Sequence, residues 1–130
     1  MAPRFLSLDE VMEIHADQVE RYGGSPGIRD VGLLQSAIAM PESGFGDEYL
    51  HADLFEMAAA YLFHIVQNHP FIDANKRVGT MAAYAFLNLN GLTLTAKDRE
   101  FESVVLSVAQ GKMGKAAIAE FLRKHAKKKR

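Results

Sequence analysis

Apolar positions along this chain recur with helical period, and no apolar/polar alternation longer than a few residues marks a strand. Ser7 and Glu10 stand at capping-box spacing; Leu8, Val11, His15, Val19 and Tyr22 then fall near one face until Gly23-Gly24 stops the run. Gly23 to Gly27, with Pro26 inside, is a tight connection. Asp30 opens a second, short helix whose inner stripe is Leu33, Leu34, Ala37 and Ile38, ending before Pro41. Residues 42–51 carry Gly44, Phe45, Gly46 and Tyr49 without helical period, which predicts an exposed loop or a small flap-like hairpin. Phe45 and Tyr49 either meet a partner there or fold back on the core.

Asp53 and Glu56 repeat the capping spacing, and Leu54 to Val66 is apolar at nearly every position except Glu56 and His64. A helix apolar all round is a buried one. Asn75 to Leu89 has the same character and ends at Asn90-Gly91, a C-terminal glycine signal. These two helices form the predicted centre, joined by the turn His69 to Ala74. Leu92 to Thr95 is a short extended connection. Thr95 or Asp98 can cap a helix carrying Phe101, Val104, Val105 and Val108, and Ile118, Phe121 and Leu122 repeat that spacing after Gly111 and Gly114. The pattern predicts an all-α single domain of about six helices over residues 1–126, with 127–130 as a basic tail. Arg123 to Arg130 holds six cations with no interleaved aromatic, so it reads as a frayed, solvated terminus and not as a nucleic-acid patch.

Composition narrows the class without naming a function. With 130 residues, 48% apolar and 24% charged, the chain has the balance of one soluble globular domain. Fifteen basic and sixteen acidic side chains leave a formal charge of −1, so no global field steers nucleic acid or acidic membranes, and cationic chemistry must be local. The absence of cysteine excludes disulfides, thiolate metal sites and cysteine nucleophiles. No apolar run has signal-peptide or membrane-span length, which makes the cytoplasm the expected location.

Chemistry concentrates in the turn between the central helices, His-Pro-Phe-Ile-Asp-Ala-Asn-Lys-Arg from His69 to Arg77. If Asn75 starts a helix, Asn75, Lys76 and Arg77 sit at a terminus whose unpaired N–H groups and positive dipole end bind phosphate. Two cations there oppose the dipole, a local conflict that an anionic ligand resolves. Arg77 offers a planar fork, Lys76 a mobile point charge, and Asn75 a cap or an amide contact. Asp73 is placed to hold Mg²⁺, which needs only one or two protein carboxylates when phosphates and water complete its shell. Imidazole titrates near neutral pH, which suits His69 as a general base toward an incoming hydroxyl. Phe71 plugs the turn into the core and Pro70 stiffens it. Each piece has a bland counterpart, since a histidine at a helix end is often a C-cap and Lys-Arg on a first turn is often just solvated. The combination at this spacing favours a functional site. His64 and His69 are five apart and cannot share a helical face as zinc ligands do.

The segment His69 to Arg77 resembles the Fic/Doc signature, His-x-Phe-x-Asp/Glu-Gly/Ala-Asn-Gly/Lys-Arg. The similarity extends to Tyr22-Gly23-Gly24, to Arg29 through Leu34 and to Asp53-Leu54-Phe55, and is greatest to the Doc (death-on-curing) toxins. The resemblance implies a helical Fic fold with His69 as base, Phe71 as anchor, Asp73 as Mg²⁺ ligand, and Asn75, Lys76 and Arg77 holding the phosphates of ATP. It also implies that the loop with Phe45 and Tyr49 reads a protein target. Adenylyltransferases of the family usually carry Gly where this chain has Lys76 and a second Arg where it has Thr80. Doc-like members share the Lys and are kinases, so the implied reaction is γ-phosphate transfer to a Ser/Thr hydroxyl, with elongation factor Tu as the expected target. AMP transfer and a non-catalytic partner-binding module are the alternatives. The family's self-inhibitory motif, Ser/Thr-x-x-x-Glu-Gly/Asn, is absent, which implies restraint by a separate Phd-like antitoxin.

Overall fold

The computed structural model describes residues 2–129. Among them are six α-helices: α1 (Leu8–Tyr22), α2 (Val31–Ala39), α3 (Leu54–Asn68), α4 (Asn75–Leu89), α5 (Asp98–Ala109) and α6 (Lys115–His125), with a 3-10 turn at Met40–Glu42 after α2. The all-α expectation holds, with two small additions. Gly44–Phe45 (β1) and Glu48–Tyr49 (β2) form an antiparallel hairpin, and Leu92–Leu94 (β3) pairs antiparallel with Ala126–Lys128 (β4). No described helix is long and apolar enough to cross a membrane.

The N-caps follow local chemistry. Ser7 and Glu10 close a reciprocal capping box on α1, Asp30 accepts from Leu33 N–H at 2.9 Å, and Asp53 accepts from Glu56 N–H at 2.8 Å. The cap of α5 is neither Thr95 nor Asp98 but Lys97, which makes no side-chain cap. Asp98 and Glu100 instead lie inside the first turn, where their charge favours the helix dipole. Tyr22 corrects the predicted face of α1, because it is exposed while Gln18 is buried.

α3 and α4 pack on each other more extensively than any other pair, and Met57 through Leu62, Ile65, Val78, Ala82, Ala83, Phe86 and Leu87 form the centre of the core. α4 is not buried all round, however, since Tyr84 faces solvent. The basic terminus is not frayed as far as Lys129, and Arg130 lies outside the described residues. β4 adds to β3, and Thr95 N–H to His125 O (2.7 Å) and Lys129 N–H to Gly91 O (2.8 Å) extend the ladder. Backbone pairing asks nothing of side chains pointing to water, so Lys127 and Lys128 hide the strand from periodicity.

At the α3–α6 contact Lys115 Nζ lies 3.1 Å from His64 Nε2 and 3.2 Å from His51 Nε2. Both imidazoles must be neutral to accept from an ammonium. Burial first and the Lys115 charge second depress both rings, His64 to about 4. A depressed histidine binds fewer protons folded than unfolded, so stability is full above pH 6.5 and falls as pH drops from there toward about 4. Between pH 7.5 and 4.5 we expect a loss of roughly 1–2 kcal/mol, discounted for the partial exposure of His64. Thermal melts of wild type and Lys115→Met check this. The variant should show a shallower slope, and an equal or steeper one would remove Lys115 as a cause.

Candidate active site at the α3–α4 turn

Asn75 does start α4, but the residue before it does the unusual work. Ala74 is the N-cap, with φ 69°, and His69, the C-cap of α3, has φ 51°. These are the only described non-glycine residues with positive φ, and both lie in the turn that carries the candidate chemistry. Left-handed backbone costs an L-residue about 1 kcal/mol or more, and it persists only where surrounding contacts over-determine it.

Those contacts come from far along the chain. Asp30 and Arg29 donate their N–H groups to Pro70 O at 3.0 and 2.7 Å, and Ile72 N–H donates to Gly27 O at 3.2 Å. Arg29 also forks onto the end of α3, its Nε to His69 O (2.7 Å) and Nη2 to Asn68 O (2.9 Å), where a cation suits the negative end of the dipole. Phe71 is fully buried, with its ring stacked on His15 at 4.0 Å and 6°.

Asn75 differs from expectation. Its side chain is buried, with Oδ1 accepting from Phe71 N–H at 2.9 Å and Nδ2 donating to Phe71 O at 3.0 Å. The amide therefore shapes the turn and is not a free cap or phosphate contact. What remains at the head of α4 is backbone: the first helical bond is Val78 N–H to Ala74 O, 2.9 Å, so the N–H groups of Asn75, Lys76 and Arg77 have no intrahelical partner.

Asp73 is exposed and held from two sides, with Oδ1 accepting from Ala74 N–H (2.8 Å) and Oδ2 from Ser25 N–H (3.1 Å). The Ser25 bond, then the Ala74 bond, holds its carboxyl below the usual carboxylate range, so it is ionised at neutral pH. Each oxygen keeps acceptor capacity for a further partner. Among the described residues no group of three or more His, Asp or Glu could cage a metal. A lone ionised carboxylate beside unpaired N–H groups fits an ion that draws its other ligands from water and phosphate, as Mg²⁺ does.

Arg77 has an internal use that local spacing did not reveal. Nη1 donates to Gln18 O (3.2 Å) and Nη2 to Gly23 O (3.0 Å), so its charge sits against the C-terminal carbonyls of α1 as well as at the head of α4. Lys76 is exposed and has no ion-pair partner among the described residues. Thr80 Oγ1 turns back onto Lys76 O at 2.9 Å. Gly24, at φ 121°, closes the wall: a Cβ there would come within 2.8 Å of Asp73 Oδ2 and 3.1 Å of Arg77 Nη2.

His69 is exposed at the opposite end of the turn. The flap is the β1–β2 hairpin, with Gly46 at φ 65° in its two-residue turn. Phe45 at its tip is 94% exposed, whereas Tyr49 packs partly on Phe5, with ring centroids 5.6 Å apart. His15 and Ser25 carried no local signal of a role here, because their partner Asp73 lies 58 and 48 residues away in sequence.

The Fic/DOC family matches residues 5–87, which contain the flap, the turn and most of α4. The chain belongs to the Fic/DOC family. It is 32% identical over 121 residues to the protein kinase doc of Escherichia phage P1, covering 93% of this chain and 94% of that relative. It is 39% identical over 75 residues to the toxin Doc of Mycolicibacterium smegmatis, covering 58% of each. Membership of this family implies use of a nucleotide.

Proposed function

We propose that this chain is a Doc-like toxin, a protein kinase that transfers the γ-phosphate of Mg-ATP to a Ser/Thr hydroxyl of a cytoplasmic protein, with elongation factor Tu the first candidate. The observation that carries the proposal is the ionised, two-point-held Asp73 carboxylate beside the unpaired N–H groups that open α4. The names of the two relatives, a protein kinase and a toxin, agree with it.

In this reading His69 takes the proton of the target hydroxyl as its oxygen bonds to the γ-phosphorus; the bond from that phosphorus to the β-bridging oxygen breaks, and ADP leaves. Mg²⁺, held through Asp73, would neutralise phosphate charge. Lys76, Arg77 and the N–H groups of Asn75 to Arg77 bind the phosphates, and electrostatics of this kind supply most of the catalysis in phosphoryl transfer. A lysine at position 76 would fill space that a close-lying diphosphate needs, and the Thr80 hydroxyl already donates to Lys76 O, both of which favour phosphate over AMP transfer. The flap presents Phe45, and Tyr49 beside it, to the target.

Expression of the wild-type chain should arrest growth, and a Phd-like antitoxin should relieve the arrest. Asp73→Asn should abolish it at equal protein level. Arrest that survives Asp73→Asn would favour a binding module without chemistry. Phe45→Ala should raise KM for the protein target about tenfold with KM for ATP unchanged. Equal loss of both would assign the flap a folding role instead.

A further inference from the structure

The peptide unit between Asp73 and Ala74 is clamped at both ends. Its N–H, on Ala74, donates to the Asp73 carboxylate at 2.8 Å. Its carbonyl, on Asp73, lies 3.1 Å from Nε2 of His15, a residue of α1 58 positions earlier. A carbonyl only accepts, so the imidazole carries its proton on Nε2. The ring is 6% exposed and stacks face to face on Phe71, which leaves it one orientation. Rotation of this peptide would turn the carbonyl away from α1 and carry the Ala74 N–H off the carboxylate. Ala74 has the positive φ that makes such rotation favourable when nothing opposes it.

From this geometry we infer that His15 is a positioning residue of the active site, which fixes the direction of the Asp73 carboxylate by holding the Asp73–Ala74 peptide through Nε2. The inference rests on the proposed function only for its effect on catalysis; its effect on the turn stands apart. His15 is buried and its Nε2 is taken by Asp73 O, so its role is to position and not to transfer a proton. Ser25 N–H holds the second carboxylate oxygen and Gly24 lets the backbone come close enough to do so, but neither governs the peptide plane.

Two variants separate the bond from the packing. His15→Leu keeps an apolar body against Phe71 and removes the donor, whereas His15→Gln keeps an N–H at similar reach and removes the ring. Hydrogen exchange of the Ala74 amide should speed up about tenfold or more in His15→Leu and stay within about threefold of wild type in His15→Gln. In kinetic assays kcat should fall about tenfold in His15→Leu, with KM for the protein target unchanged and most of the loss restored in His15→Gln. Unchanged Ala74 exchange in His15→Leu, or equal acceleration in both variants, would overturn the inference. Should His15→Leu not fold, His15→Gln decides alone, near-wild-type exchange supporting the inference and tenfold acceleration overturning it. If the wild-type chain transfers no phosphate, the functional reading fails by itself, and the exchange result still decides the role of His15.

Discussion

Replacing His69 by glycine should make the protein more stable and inactive at once. His69 is the C-cap of α3 at φ 51°, a conformation glycine adopts freely, and its side chain is exposed, so little packing is lost. Relief of backbone strain should contribute about 0.5–1 kcal/mol of stability. Removing a positioned general base typically costs 10²- to 10⁴-fold in rate, which is the expected loss of phosphate transfer. A plain helix cap would give the stability gain without the kinetic loss. A structurally required histidine would give the kinetic loss together with a lower melting temperature. Thermal melts and single-turnover transfer rates on the same preparation distinguish all three, and retention of more than about a tenth of the rate would remove His69 from the chemistry.

The second large effect lies in Phe71. Its ring is wholly buried, stacks on His15 and sits between two left-handed residues whose geometry it helps to hold. Phe71→Ala removes that plug and leaves a cavity between α1 and the turn, for a cost of about 3–5 kcal/mol. In a domain of this size such a loss is a large share of the total stability. The melting temperature should fall by about 10 °C or more, with transfer lost even in the molecules that stay folded. Phe71→Leu fills most of the space and should cost roughly 1–2 kcal/mol. A loss below about 1 kcal/mol for Phe71→Ala would mean that the Asn75 amide and the Pro70 and Gly27 backbone bonds hold the turn without the ring.

Much of the fold is legible locally because helices are local. The apolar period placed six helices, and Ser7, Asp30 and Asp53 are caps for the reason their chemistry suggests, a side-chain oxygen meeting an unpaired N–H three residues on. The β3–β4 pairing is not legible, since three-residue strands with exposed lysines leave no alternation to read. At the candidate site, the spacing from His69 to Arg77 pointed to a phosphate-binding helix start, and α4 begins at Asn75 as that required. How the turn is held was invisible, because its partners are set by tertiary packing: His15, Gln18, Gly23 and Ser25 reach Asp73 and Arg77 across 48 to 59 residues. Asn75 shows the limit from the other side. Its amide has the chemistry to meet a phosphate, and only the Phe71 backbone four residues earlier shows that it is already used.

ATP labelled separately in its α- and γ-phosphates decides whether this turn moves a phosphoryl group. Purified chain, Mg²⁺ and elongation factor Tu are incubated with each label, alongside Asp73→Asn. Label should reach the target protein from γ-labelled ATP only, and not at all with the variant. Label arriving from the α-position would contradict it and assign AMP transfer to the same residues.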